Sequence, residues 1–122
     1  MIDALQSFMR ELAAADDVGS FARRWESDPA PFAAVEVTSW EEYAGGGAEV
    51  VFAEGTGPTV AQLELAFGPF TEPPRAYPAR RALRGEWWRE GMPVRVVLLI
   101  YPPDGDGPLE RLVLQPGSPP AA

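Results

Sequence analysis

Apolar residues recur at helical spacing over the first fifteen positions. Ile2, Leu5, Phe8, Met9 and Leu12 form one stripe, and Asp3, Gln6, Arg10 and Glu11 lie off it. This predicts an amphipathic helix over 2–15, ended by Asp16 and Asp17. Val18, Phe21, Ala22 and Trp25 share a face in a second short helix, with Ser20 as the expected N-cap. The helix stops at Ser27-Asp28-Pro29, because proline disfavours helical backbone in the residue before it.

From Phe32 the period changes to two. Residues 33–40 and 48–54 read as strands, with Val35 and Val37 on one face of the first and Val50 and Phe52 on one face of the second. Gly45-Gly46-Gly47 separates them as a turn. Residues 59–67 alternate, with Ala61, Leu63, Leu65 and Phe67 facing in and Gln62 and Glu64 facing out, so a half-buried strand is expected. Pro69, Pro73, Pro74 and Pro78 make 68–79 a loop. A strand over 81–90 turns through Gly91-Met92-Pro93 into 94–101, where Val94, Val96, Val97, Leu98, Leu99, Ile100 and Tyr101 leave almost no polar face. That composition predicts a central strand covered on both sides. The turn 102–107 leads to a last strand at 108–114, in which Leu109 and Val113 share one face and Leu112 and Leu114 the other.

Helices followed by a run of strands define an α+β domain: two N-terminal helices packed on a curved antiparallel sheet, a meander of five to six strands. The expected organisation is a single domain over 1–115 and a flexible C-terminal tail over 116–122. Val51, Val97, Leu99 and Tyr101 fall on the sheet face away from the helices. Sheet curvature around a pocket, the Pro-rich loop or a second subunit would have to cover them.

Composition narrows the chemistry. The chain of 122 residues has no Cys, no His and no Lys. Thiolate and zinc–thiolate chemistry, His-based triads and metal sites, and Schiff-base lysines are therefore excluded. No residue pattern calls for a cofactor or a metal. Asp104-Gly105-Asp106-Gly107 resembles the opening of a calcium loop but lacks the later ligands and the closing Glu, so it reads as a turn. Glu41 and Glu42 beside Trp40 and Tyr43 are carboxylates with no partner fixed across a cleft, and read as a solvated strand end. The Gly-rich segments at 45–47 and 55–57 do not lie in a βαβ unit and are not nucleotide loops. No signal peptide is expected, and the apolar run 96–101 is too short to span a bilayer, so a cytoplasmic setting is expected.

The net charge of −8 argues against nucleic acid and anionic membrane surfaces as partners. The charge is uneven. Residues 1–67 hold twelve acidic and three basic side chains, whereas 68–101 hold three acidic and six basic. The basic excess gathers in Arg75, Tyr77, Arg80, Arg81, Arg84, Trp87, Trp88 and Arg89, the candidate binding residues. Arg with Trp and Tyr is interface chemistry, and guanidinium forks suit carboxylate or phosphate. The competing structural reading puts one Trp in the core, the other over an edge, and the Arg residues in neutralising the acidic body. The functional expectation is a non-enzymatic acidic domain that binds a basic protein partner or associates with itself through a sheet face. The alternative is a small-molecule binder or carboxylate-dependent enzyme with a pocket between helices and sheet.

Overall fold

The computed structural model describes residues 1–38, 46–72, 82–102 and 105–119. The elements run α1 (Ile2–Ala14), α2 (Val18–Ser27), β1 (Ala34–Thr38), β2 (Gly47–Val51), α3 (Val60–Phe67), β3 (Leu83–Trp87), β4 (Val96–Ile100) and β5 (Arg111–Pro116). The five strands form one antiparallel sheet in the order β1-β2-β5-β4-β3. A β1–β2 hairpin and a β3–β4–β5 meander thus join through β2 and β5. The α+β class and its N-terminal helices are as the periodicities predict. No helix among the described residues is long and apolar enough to cross a membrane.

The stripe of α1 is the core seam: Leu5, Phe8, Met9 and Leu12 are fully buried. Phe8 meets Phe21 and Trp25 of α2 and Phe32 beyond it, with ring centroids 5.3, 5.0 and 5.7 Å away. These offset and edge-on contacts lock the helical pair to the chain entering β1. The N-cap of α2 is Asp17, not Ser20. Its carboxylate accepts hydrogen bonds from Gly19 N (3.1 Å) and Ser20 Oγ (2.7 Å). These bonds hold the Asp17 pKa below its ordinary value, the Ser20 hydroxyl being the larger cause.

Residues 59–67 are the main departure from the sequence pattern. The segment is helix α3, not a sixth strand. Thr59 Oγ1 accepts from Gln62 N at 3.2 Å, and Gln62 Oε1 accepts from Thr59 N at 2.9 Å. This capping box satisfies backbone donors that a helix start otherwise leaves open. Leu63 and Phe67, one turn apart, are buried, while Leu65 is 93% exposed. A strand would have put Leu65 beside them on the inner face.

β4 is flanked on both sides, and all five of its residues are buried. Val96, Leu98 and Ile100 join the main core, while Val97 and Leu99 join Val113 in a smaller cluster with Tyr101 against it. The second face is thus closed within the single chain at these three positions, which are 2–7% exposed. Leu109 belongs to the main core rather than sharing a face with Val113, because it precedes β5 and its N–H bonds to Pro58 O at 2.9 Å. Backbone bonding continues past 115: Gly117 N donates to Arg95 O at 2.6 Å and Arg95 N to Ser118 O at 3.1 Å. Each sheet edge has one of its open backbone positions taken. Glu26 of α2 accepts from Val37 N on β1 at 3.0 Å, and Thr71 exchanges two backbone bonds of 2.8 Å with Arg84 on β3. Such contacts blunt edge-to-edge pairing.

Candidate functional site

The Arg-rich segment divides. Arg75, Tyr77, Arg80 and Arg81 lie outside the described residues, as does the Trp40–Tyr43 stretch. The four others are carried by β3 and the turn after it. Arg84 points to the face opposite the helices and pairs with Glu86, its neighbour two residues along the strand, at 3.0 Å. Both side chains are well solvated, so this pair contributes about 0–1 kcal/mol.

Trp87 and Trp88 part company, as consecutive residues at a strand end must. Trp87 stands opposite Val96 and is a core residue, 3% exposed, edge-on to Phe67 with centroids 5.2 Å apart. Its indole Nε1 is buried and, among the described residues, has no hydrogen-bond acceptor. Trp88 is 36% exposed, and its Nε1 donates to Met92 O at 2.8 Å. The turn is tightened by Met92 N donating to Arg89 O (3.0 Å), by Arg89 N against Met92 Sδ (3.2 Å), and by Gly91 at φ 94°. That positive φ favours glycine. The Arg89 guanidinium donates to Trp88 O (2.9 Å), and its central carbon lies over the Trp87 ring, 5.4 Å from the centroid.

A concave site lies elsewhere, between α3 and the turn that follows β4. This groove encloses about 680 Å³. It is lined by Val60 and Glu64 of α3, Phe70 and Glu72 of the next segment, Leu83 of β3, and Pro102 and Asp106 after β4. Three local features build it. The capping box fixes the start of α3. Gly85 on β3 admits the Phe70 ring, since a Cβ there would collide with it. Gly105, at φ 89°, bends the turn that presents Asp106. Among the described residues, every charged side chain lining the groove is a carboxylate. Sequence reasoning placed Glu64 on the outer face of a strand and read the 104–107 turn as structural. It missed the groove because its acidic residues come from three separate segments.

Elsewhere, the acidic surface is partly self-neutralised. Glu36 and Glu49 are directly opposite across β1 and β2, and Arg111 of β5 reaches both, at 3.6 and 3.4 Å. Among the described residues, no group of three acidic side chains gathers as ligands for a metal ion.

The fold and the groove together define the class: an acidic α+β domain with a carboxylate-lined cleft at one end of its sheet. No known protein family, no curated protein and no solved structure matches the chain.

Proposed function

We propose that this chain is a non-enzymatic interaction domain that takes a basic segment of a partner protein into the groove between α3 and residues 105–107. The observation that carries this reading is the groove's lining. Carboxylates at Glu64 and Asp106 line a cleft together with the apolar side chains of Phe70, Leu83 and Pro102. Arg and Lys fit such a site in two parts: the aliphatic stem lies on apolar surface while the charged head reaches the carboxylates. An aromatic ring in the lining adds attraction for the cation. A volume of about 680 Å³ accommodates one or two long side chains rather than a whole element.

The rest of the molecule supports the same choice. A net charge of −8 steers a basic partner toward the surface and makes association faster at low salt. The absence of His, Cys and Lys removes imidazole, thiolate and amine catalysis. A small organic cation is the second reading, favoured by the concavity of the groove.

The test is capture from the native host with the wild-type chain and with the double variant E64Q/D106N. The reading expects a stoichiometric basic protein at low salt, weakened at moderate salt and lost with the variant. Capture of the same protein by both, or of none by the wild type at any salt, counts against it.

A further inference from the structure

We propose a second site, independent of the acidic groove: Arg10 and Arg89 form a receptor for a small oxyanion, a carboxylate or phosphate group, at the rim of Trp87. The two residues come from distant parts of the chain, Arg10 from α1 and Arg89 from the β3–β4 turn. Both place their guanidinium carbon against one indole, at 5.7 and 5.4 Å from the ring centroid. In a chain with 18 acidic residues against 10 basic, this convergence of like charges stands out. Among the described residues, neither guanidinium pairs with a carboxylate, whereas Arg84 and Arg111 both do.

The geometry leaves the right groups available. A guanidinium that rests its face on an indole keeps its N–H donors in its own plane, directed away from the ring. Arg89 uses one of them on Trp88 O; among the described residues, Arg10 engages the ring alone. These planar forks match the oxygens of a carboxylate or phosphate, and charge-assisted bonds of this kind are among the stronger hydrogen bonds in proteins. An anion between them also relieves the repulsion of the two cations. The same indole carries a polar group in want of a partner: its buried Nε1–H has no acceptor among the described residues, a rare condition for a buried polar group.

The site is held in place before any ligand arrives. Arg10 follows Met9, fully buried on α1, and Arg89 is fixed through its backbone contacts to Met92. Trp87 itself is pinned by Phe67. Such pre-organisation reduces the ordering cost of binding.

The experiment follows the indole Nε1–H resonance of Trp87 in the full chain, assigned by its loss in W87F. Sodium phosphate and sodium acetate are titrated separately, with chloride holding the ionic strength constant. A saturable shift is expected, with a dissociation constant on the order of millimolar. R10Q and R89Q should each weaken it by about tenfold or more, and R10K should weaken it less than R10Q, because charge without the fork retains part of the attraction. R95Q should leave it unchanged. Saturation by phosphate alone, by acetate alone or by both supports the site and assigns its oxyanion. No saturable shift with either anion, or wild-type binding retained by R10Q and R89Q, overturns it.

Discussion

Replacing Phe8 by Ala removes the ring that joins α1 to α2 and to the entrance of β1. Phe8 is fully buried and touches three other rings, at 5.3, 5.0 and 5.7 Å. A buried Phe→Ala change costs about 3–5 kcal/mol through lost transfer energy and the cavity left behind. Each aromatic pair adds about 0.5–1.5 kcal/mol beyond area burial, which places this site toward the top of that range. We expect about 4–5 kcal/mol, a large part of the roughly 5–15 kcal/mol that holds a domain folded. At about 2.1 cal/mol/K of unfolding entropy per residue over 122 residues, the melting temperature should fall by about 15–20 °C. F8L keeps an apolar side chain of similar bulk and loses only the ring contacts, so about 1–2 kcal/mol is expected. Urea unfolding followed by tryptophan emission measures both variants, and Trp25 sits within the cluster as a local reporter. A loss below about 1 kcal/mol for F8A, or an F8L loss equal to that of F8A, would refute the packing described here.

Other substitutions test separate features. T59A and Q62A each open the capping box of α3 and should cost about 1 kcal/mol in urea unfolding, with the double variant costing less than the sum because the two bonds are reciprocal. G57A should destabilise measurably, because a Cβ there collides with the Leu109 carbonyl, whereas G107A meets nothing and should be neutral or stabilising by up to about 1 kcal/mol. Asp17 gives a pH dependence of known sign. Its folded pKa lies below the ordinary 3.8, so its contribution is present above 3.8 and is lost as pH falls through the folded value. The stability difference between wild type and D17N, measured by urea unfolding across acid pH, should therefore shrink below 3.8.

The legible parts of this fold are those where one pattern admits one structure. The α1 stripe of Leu5, Phe8, Met9 and Leu12 fits a helix and no strand. The run Val96–Ile100 has no polar face, and in the structure β4 is buried with a strand on either side. Residues 59–67 were ambiguous, because Leu63 and Phe67 lie on one face in both a strand and a helix. The capping box of Thr59 and Gln62 was the signal that decides, and it outweighs the alternation completed by Ala61 and Leu65. For Trp87 and Trp88, adjacency on a strand implies one inward and one outward ring; the pairing of Trp87 with Val96 settles which. Neither site had a linear signature. Glu64 and Asp106 come to line one groove, and Arg10 and Arg89 come to one indole, only after helices and turns fold onto the sheet.

The most direct test of the central claim, a groove built to receive a cationic segment, is an NMR titration of the full chain with a short arginine-rich peptide and its citrulline counterpart, which keeps the shape and removes the charge. The arginine peptide should shift the amides of Val60, Glu64, Phe70, Asp106 and Gly107 together, weaken with salt, and bind E64Q/D106N poorly, while the citrulline peptide shifts none of them. Equal shifts from both peptides, or shifts that map away from these residues, would contradict the account.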